Sequence, residues 1–397
     1  MRDPLRILIV DDSALVRRTL RQMLESDPDI QVIGEAADGQ EALACVQNLR
    51  PDLITMDVRM PVMDGLETTE QLMAYHPTPI LVVTGSLSRY DVDITFKMLG
   101  AGALEVVEKP DLSNPNEIEK ARRELIRRIK TLARVKVVTH LRGRRRNLAR
   151  GGSNLVAAST PPAEPVTPPQ PIIPKPAVLV TRSPDPILSL PPLATEKVDS
   201  LPLARTEKRP DTFPLVIIGA STGGPKIVKH ILAGLPARFG AAVIVVQHIA
   251  EGFSTGMVEW LSLTCQLPVF LAYEGAQIIA NTVMVTPDGY NLYVKPNKTV
   301  HLNDQPCLLR PSVDITMQTA VPVFGSRIIG VLLSGMGRDG AIGMQTIHRA
   351  GGYTLAQDEA TCTIYGMPRA AYELDAVDEM LPPEGILQAI KQRVSKI

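Results

Sequence analysis

Short aliphatic runs alternate with amphipathic stretches in two separate parts of the chain, and this alternation limits the fold more than any other feature. From Leu5 to about Lys130 there are five such runs, which read RILIV, IQVIGEA, DLITM, PILVV and ALEVV. The stretches between them, such as Ala14 to Leu24, have helical periodicity. Strands that alternate with helices form a parallel sheet with helices on both faces. The first part is therefore predicted to be an α/β domain.

The same alternation resumes at Phe213 and continues almost to the end of the chain. PLVIIGA, AAVIVVQH and RIIGVLLSG are predicted buried strands, with helices such as 226–235 and 341–350 between them. The segment TVMVTPDGYNLYVK differs, because short alternating strands flank the pair Asp288-Gly289, which is typical of hairpin turns. We therefore expect a second parallel-sheet α/β domain, Rossmann-like, with an added β-hairpin.

The chain between these two parts has a different composition. Prolines are dense there, as in PPAEPVTPPQPIIPKP, and no hydrophobic period survives. Such a segment cannot bury enough apolar surface to offset the entropy cost of ordering it, so we expect a flexible linker. Its start, residues 136–150, is basic and suits either a solvated charge run or a contact with an acidic partner or anionic lipid. The predicted divisions are residues 1–130, a linker over 131–212, and residues 213–397.

Charge and cysteine content argue against several classes of protein. The 42 basic and 42 acidic residues cancel, which disfavours nucleic acid as a partner because a phosphate backbone selects a basic surface. The four cysteines lie far apart and form no C-x-x-C pair, so neither a metal framework nor a redox motif is indicated. Unpaired thiols suit a reducing cytoplasm, and no apolar run is long enough to span a bilayer. We therefore expect a cytoplasmic protein that is not membrane-embedded.

Polar residues follow the predicted strands of the first part in a definite order. Asp11 and Asp12 follow the first strand, Asp57 the third, Thr84 the fourth and Lys109 the fifth. The carboxyl ends of parallel strands meet at one edge, where three carboxylates would repel each other unless a cation such as Mg²⁺ joined them. A lysine and a hydroxyl there could hold phosphoryl oxygens, which predicts phosphoryl transfer onto a carboxylate. Helix N-capping would explain any one of these acids, but not the ordered set.

These residues resemble the response-regulator receiver family over residues 3 to about 130. The matching segments are DDS from Asp11, MDVRMPVMDG from Met56, the isolated Thr84, and KP from Lys109. The resemblance implies a flavodoxin-like fold, phosphorylation of Asp57, and a histidine kinase of the CheA type as phosphodonor.

The resemblance also implies roles for the neighbouring residues. The implied Mg²⁺ ligands are Asp11, Asp12, Asp57 and the backbone carbonyl of Arg59. Thr84 and Lys109 would sense the phosphate. Receivers usually carry Tyr or Phe as a rotating switch on strand five, whereas the matching position here is Val106.

The second part carries a nucleophile motif directly after its first strand. GASTGG matches G-x-S-x-G with Ser221 at its centre, and the glycines permit a tight strand-to-helix turn that exposes the hydroxyl. The N-terminal amides of the following helix favour an oxyanion at the same place. A glycine-rich turn after a strand can also bind phosphate, so the motif alone leaves both interpretations open.

A serine nucleophile needs a base and an acid that orients the base. His248 closes the next strand, VIVVQH, although a lone histidine there is more often structural, and His301 is a weaker candidate. Asp339 lies in MGRDGA, after the strand IIGVLLSG, at the start of a predicted helix that it could simply cap. Because all three residues follow buried strands, we predict a triad of Ser221, His248 and Asp339. Its chain order differs from that of α/β-hydrolases.

IGASTGGP, VVQHI and LLSGMGRDGA, together with the receiver-like part, resemble the CheB family of chemotaxis methylesterases. The resemblance implies hydrolysis of glutamate γ-methyl esters on methyl-accepting chemotaxis receptors, with methanol released and no cofactor for the esterase chemistry. Deamidation of receptor glutamines often accompanies it. The backbone amides of Thr222 and Met336 would form the oxyanion hole, and the unphosphorylated receiver would cover the active site.

Two other functions fit the same residues. The first is an esterase for a methylated protein of a non-chemotaxis signalling pathway, because the triad does not define the substrate. The second is a non-catalytic, receiver-controlled binding module in which the GASTGG loop holds an anion.

Overall fold

A computed structural model of the protein describes residues 3–85, 89–110, 115–137, 212–305 and 310–397. Residues 138–211 of the predicted linker, including most of its basic start, lie outside these ranges. Within the described ranges, no helix combines the length and the apolar character needed to cross a bilayer.

The first part is a five-stranded parallel sheet with alternating helices, as predicted. The strands are β1 (Leu5–Val10), β2 (Ile30–Ala36), β3 (Leu53–Met56), β4 (Ile80–Thr84) and β5 (Glu105–Glu108). The helices are α1 (Ala14–Glu25), α2 (Gly39–Leu49), α3 (Gly65–Tyr75), α4 (Arg89–Ala101) and α5 (Pro115–Leu132). The strand order β2-β1-β3-β4-β5 is that of a flavodoxin-like fold. We call this part the receiver domain.

Three helices of the receiver domain begin at side chains that cap them. Ser13 caps α1, Asp38 caps α2 and Asp64 caps α3, each accepting a hydrogen bond from a backbone amide in the first turn. Asp12 and Asp57 therefore do not serve as the caps of the helices that follow them, and capping does not explain their positions.

The second part, which we call the catalytic domain, is built on a seven-stranded parallel sheet. Its strands are β6 (Leu215–Ala220), β7 (Ala242–Gln247), β8 (Val269–Leu271), β9 (Val283–Val285), β12 (Ile328–Leu332), β13 (Tyr353–Gln357) and β14 (Glu379–Leu381). They lie in the order β14-β13-β12-β6-β7-β9-β8. The helices are α6 (Gly224–Ala233), α7 (Ser254–Ser262), α8 (Val313–Phe324), α9 (Ala341–Arg349), α10 (Met367–Tyr372) and α11 (Pro383–Val394). The predicted parallel α/β architecture is confirmed.

The added hairpin is also confirmed, but the prediction that it turns at Asp288-Gly289 is wrong. Strands β10 (Asn291–Val294) and β11 (Val300–Asn303) pair antiparallel, so the turn lies between Val294 and Val300. The preceding strand, β9, is buried at every residue and pairs parallel with β7 and β8 instead. An all-buried VMV segment suits an inner parallel strand better than one side of an exposed hairpin.

The receiver and catalytic domains share a continuous apolar core where α4 packs on α7. The rings of Phe96 and Trp260 stack with their centroids 5.3 Å apart. Gly256 lets the two helices approach closely, because a Cβ added there would lie 1.9 Å from a methyl carbon of Val92. Helix α7 comes soon after β7, so this contact places the receiver next to the carboxyl ends of the catalytic strands.

Candidate active site

The three predicted triad residues follow three neighbouring strands of the catalytic sheet. Strand β6 lies between β12 and β7. Ser221 comes directly after β6, His248 directly after β7, and Asp339 lies in the loop between β12 and α9. The sheet order therefore brings together residues that are up to 118 positions apart in the chain, counted from 221 to 339.

His248 and Asp339 are hydrogen-bonded, with Nε2 of the histidine 2.8 Å from Oδ2 of the aspartate. An ionised carboxylate can only accept a hydrogen bond, so Nε2 carries the proton. In the neutral imidazole this leaves Nδ1 as the nitrogen that can accept a proton from another group.

Pairing with a carboxylate does not by itself distinguish His248 from the other histidines of the domain. His230 lies beside Glu384, His301 beside Glu274, and His348 beside Asp378. The side chain of His248 is 16% exposed and that of Asp339 is 5% exposed, whereas the other three histidine side chains are 39 to 49% exposed. Burial strengthens a hydrogen bond or ion pair, so the bond between His248 and its carboxylate is expected to be the strongest of the four.

The Asp339 carboxylate is held by the start of a helix that lies elsewhere in the sequence. It accepts hydrogen bonds from the Ser312 hydroxyl at 2.9 Å, the Val313 amide at 2.7 Å and the Asp314 amide at 3.1 Å, all at the N-terminus of α8. Burial alone would raise the pKa of Asp339, but the hydrogen bonds from His248 and from these amides outweigh it and lower the pKa below its ordinary value. The carboxylate is therefore fixed in its ionised form.

Asp339 does not cap the helix that follows it, which was the alternative explanation of its position. The N-cap of α9 is Gly340, and no side-chain cap hydrogen bond is made there. Sequence reasoning missed Ser312, which caps α8 and bonds Asp339 at the same time. The signal was present, since a serine directly before a helical stretch with an aspartate in its first turn is typical of a helix start.

The serine turn is fixed by close backbone contacts. The Ser221 amide donates to the Ser334 carbonyl at 3.0 Å, and Gly223 has a φ of 77°, which favours glycine. Gly335 passes so near the turn that an added Cβ would lie 2.7 Å from the Cβ of Ser221. The turn thus has the form that G-x-S-x-G predicts.

Ser221 and His248 line one cavity of about 210 Å³, together with Thr222 and Met336. Within the described ranges, no hydrogen bond joins the Ser221 hydroxyl to His248. In the same part of the chain, neither the Thr222 amide nor the Met336 amide donates to another protein group. The cavity therefore holds a hydroxyl, an imidazole and two available amides, which is the set of groups that acyl transfer requires.

The receiver domain covers this cavity. Glu105 of β5 accepts a hydrogen bond from the Thr222 hydroxyl at 2.7 Å and pairs with Arg128 of α5 at 2.6 Å. The guanidinium of Arg127, also on α5, contacts the sulfur of Met336. Val106, at the position where receivers usually carry an aromatic residue, is buried and lines the same cavity. Sequence reasoning did not identify Glu105, Arg127 or Arg128, because no local pattern shows which charged side chains face another domain.

The acidic residues of the receiver domain meet at the carboxyl edge of its sheet. Ligand oxygens of Asp11, Asp12 and Asp57 all lie within 4.8 Å of one another. The Lys109 ammonium is 2.7 Å from Asp11 and 2.9 Å from Asp57. Burial raises the pKa of Asp57 to about 6, and the charge of Asp11 adds to this effect while Lys109 opposes it. A compact set of repelling carboxylate oxygens fits a hard divalent cation such as Mg²⁺.

Thr84 and Arg59 are the other two predicted receiver residues. Thr84 ends β4 with its side chain buried, and its carbonyl accepts a hydrogen bond from the Lys109 amide at 2.8 Å. Arg59 lies two residues after Asp57, and its guanidinium pairs with the buried carboxylate of Asp91 in α4. The guanidinium is thus engaged by α4, and the predicted metal contact of Arg59 concerns only its carbonyl.

Comparison with known proteins gives matches over both domains. Residues 216–390 match the family model described as CheB methylesterase, and residues 7–122 match the response regulator receiver domain. A relative from Symbiobacterium thermophilum, named protein-glutamate methylesterase/protein-glutamine glutaminase, is 36% identical over 99% of this chain and 98% of its own length. A relative from Geobacter metallireducens with the same name and the number 4 is 37% identical over 97% of each chain.

Among solved structures, the catalytic domain of the CheB methylesterase from Thermotoga maritima is similar to this chain at 32% identity. It covers 46% of this chain and 98% of its own, with a TM-score of 0.44.

Proposed function

Because this chain belongs to the CheB methylesterase family and carries a receiver domain, we propose that it is a phosphorylation-activated protein-glutamate methylesterase. It hydrolyses glutamate γ-methyl esters on methyl-accepting chemotaxis receptors, releases methanol and serves adaptation in chemotaxis. The observation that carries the proposal is the buried hydrogen bond of 2.8 Å between His248 and Asp339, beside the cavity that Ser221 lines.

The mechanism follows from the groups around that cavity. The Ser221 hydroxyl attacks the ester carbonyl while Nδ1 of His248 takes its proton, and Asp339 stabilises the resulting imidazolium. The amides of Thr222 and Met336 donate to the oxyanion. The intermediate collapses to the acyl-enzyme, and methanol leaves with the proton from His248. Water, activated by the same histidine, then releases the glutamate carboxylate and restores Ser221.

The same chemistry extends to receptor glutamines. Attack on a carboxamide gives the same acyl-enzyme, with ammonia instead of methanol as the leaving group, so the protein also acts as a protein-glutamine glutaminase. The names of the relatives from Symbiobacterium thermophilum and Geobacter metallireducens include both activities.

The receiver domain supplies the control. A histidine kinase of the CheA type phosphorylates Asp57. Asp11, Asp12, Asp57 and the Arg59 carbonyl would hold a Mg²⁺ ion, which would supply positive charge against the phosphoryl oxygens. Lys109 and Thr84 bind the phosphoryl oxygens, so the ion pairs that Lys109 makes with Asp11 and Asp57 must rearrange.

Activation then removes the receiver from the catalytic cavity. The hydrogen bond from Thr222 to Glu105 and the contact of Arg127 with Met336 are lost, and both candidate oxyanion residues become accessible to substrate. Since Val106 cannot act as an aromatic rotamer switch, we assign the coupling to movement of β5 and α5, which carry the covering residues.

We place the enzyme in the cytoplasm and expect no nucleic-acid partner. Cys45, Cys265 and Cys362 are free thiols, which suits a reducing compartment. The equal numbers of acidic and basic residues give no surplus of positive charge for a phosphate backbone.

The test is release of methanol from membranes that carry radiolabelled methylated receptors, with and without acetyl phosphate. The full-length protein should release methanol faster with acetyl phosphate. Ser221→Ala should lower the rate by a factor on the order of 10⁴ or more. Asp57→Asn should keep the unstimulated rate and lose the stimulation.

Two outcomes would favour the other functions. Activity on a different methylated protein, with none on chemotaxis receptors, would indicate an esterase of another pathway. A serine that does not react with an acylating reagent, in a protein that binds anions, would indicate a non-catalytic binding module.

A further inference from the structure

Gln247 ends strand β7, directly before His248, and its side chain lies inside the catalytic domain. It is 2% exposed and lines the cavity shared by Ser221 and His248. Its Nε2 donates to the Ser221 carbonyl at 2.9 Å and to the His248 carbonyl at 2.9 Å. Both partners can only accept, so the orientation of the amide is fixed by its contacts. One carboxamide therefore connects the backbone of the nucleophile to the backbone of the base.

The contact with Ser221 acts on the peptide unit that carries the Thr222 amide. The Ser221 carbonyl and the Thr222 N–H belong to the same peptide group, and in a trans peptide they point in opposite directions. Gln247 and the Gly224 amide, which donates at 2.8 Å, both hold the Ser221 carbonyl. Together they fix the direction of the N–H on the opposite side, and hydrogen bonding to the carbonyl strengthens that N–H as a donor.

The carbonyl oxygen of the Gln247 side chain, Oε1, indicates that this residue does more than fill space in the core. Within the part of the chain that the structure describes, its Oε1 is buried and has no hydrogen-bond partner. A buried acceptor without a partner is costly, so an apolar side chain of similar shape would suit this position better if only packing mattered. The donor contacts of Nε2 are therefore the reason for a glutamine here.

The serine turn is also shaped to admit this side chain. A Cβ added at Gly224 would lie 2.7 Å from Oε1 of Gln247 and 2.6 Å from the Cβ of Ala220. The last two glycines of GASTGG thus have different tasks, because Gly223 provides the positive φ of the turn and Gly224 provides room for Gln247.

We propose that Gln247 is a positioning residue that aims the Thr222 amide at the oxyanion and sets the spacing of Ser221 from His248. The inference rests on the proposed esterase chemistry, and Gln247 itself does not touch the substrate. Its loss should lower the rate of acyl transfer more than the affinity for the receptor, since Gln247 acts through the direction of the Thr222 amide and the spacing of Ser221 from His248.

The test compares Gln247→Met with Thr354→Val in the full-length protein, activated with Mg²⁺ and acetyl phosphate. Thr354 is the control, because it lies in β13, is 0% exposed, and its hydroxyl bonds Asp378 rather than a residue of the serine turn. We expect Gln247→Met to lower kcat for methanol release by roughly 10- to 100-fold with KM nearly unchanged. Thr354→Val should lower Tm, because a buried hydrogen bond is lost, and leave kcat within about threefold of wild type.

A second measurement, the rate at which phenylmethylsulfonyl fluoride labels Ser221, separates this inference from the proposed function. Labelling needs no receptor and should slow in Gln247→Met by the same factor as kcat. Wild-type protein that is labelled but releases no methanol would contradict the proposed substrate alone. Active wild type and a Gln247→Met variant with wild-type kcat and labelling rate would overturn the positioning role.

Gln247→Leu guards against a variant that fails to fold, because it removes both donors together with the unpartnered Oε1 and leaves an apolar side chain of similar size. The rate of each variant is divided by its folded fraction, which is measured by thermal denaturation. The same loss of kcat is expected, and full activity in either folded variant contradicts the proposal.

Discussion

At the scale of single residues, the arrangement around Asp339 fixes the carboxylate that pairs with His248, the proposed catalytic base. Four groups donate to the carboxylate, namely the His248 imidazole, the Ser312 hydroxyl and two backbone amides. Three of these donors belong to the start of α8, where the helix dipole also favours negative charge. The aspartate is therefore held rigidly, and the tautomer of His248 is determined by it.

We expect Asp339→Asn to reduce kcat by a factor on the order of 10⁴, because an amide in this position no longer holds the Nε2–H tautomer of His248. Methanol release from methylated receptors measures the effect. Asp378→Asn is the control, since Asp378 also pairs with a histidine, His348, but lies outside the cavity. Loss of activity in both variants to the same extent would show that the effect is one of folding.

The lowered pKa of Asp339 also predicts how stability depends on pH. A carboxyl whose pKa is lower in the folded state stabilises the fold above its unfolded pKa of about 3.9 and loses this contribution as pH falls through the folded pKa. The difference in Tm between wild type and Asp339→Asn should therefore be full at pH 6 and shrink in the acid range below about 4. Thermal denaturation followed by circular dichroism measures it, and a difference that grows toward low pH would refute the assignment.

At the scale of elements, the contact between α4 and α7 depends on how closely two helices approach. Helix α7 presents Gly256 to Val92, and α4 presents Gly100 to Trp260. A Cβ at Gly256 would lie 1.9 Å from Val92, whereas one at Gly100 would lie 3.9 Å from Trp260, which is ordinary van der Waals contact. The same change of glycine to alanine should thus disturb the contact at Gly256 and leave it intact at Gly100.

We predict that Gly256→Ala raises methylesterase activity in the absence of acetyl phosphate, because the methyl group forces α4 away from α7 and loosens the receiver. Gly100→Ala adds the same methyl group and the same gain of helix propensity, about 1 kcal/mol, without a clash, so its unstimulated activity should equal that of wild type. Methanol release by the unphosphorylated proteins is the measurement. Equal rates for all three would mean that this contact does not hold the receiver on the active site.

At the scale of the whole molecule, one surface of the receiver makes two different contacts with the catalytic domain. Apolar packing between α4 and α7 stabilises one contact. In the other, charged residues of β5 and α5 contact the serine turn. Specific interface contacts therefore position the receiver over the cavity.

Removal of Mg²⁺ should abolish the response to phosphorylation and leave the unstimulated esterase rate unchanged. We expect EDTA to abolish the stimulation by acetyl phosphate, because the acidic cluster of Asp11, Asp12 and Asp57 repels a phosphoryl group without a cation. The unstimulated rate should persist, since the proposed triad of Ser221, His248 and Asp339 consists of side chains alone. Added Mg²⁺ should restore the stimulation, and loss of the unstimulated rate in EDTA would contradict this division.

Some of the predictions made from local patterns needed no tertiary information. Aliphatic runs separated by helical periods predicted both parallel sheets, and the polar residues after several of these runs predicted which side chains lie together at the strand ends. The hairpin turn was misplaced because Asp288-Gly289 has the composition of a turn whatever its flanking strands pair with. In the structure, Asp288 accepts a hydrogen bond from the Ser254 amide at 2.8 Å, a contact across 34 residues.

The sequence by itself determined that Ser221, His248 and Asp339 follow buried strands, because strand and turn preferences act over a few neighbouring residues. The tertiary structure alone decided which carboxylate each histidine meets, how deeply each pair is buried, and which receiver side chains face the serine turn. Those outcomes depend on strand order and on the docking of helices, which join residues far apart in the chain. Burial and hydrogen bonding at such contacts are properties of the packed molecule, so no local pattern encodes them.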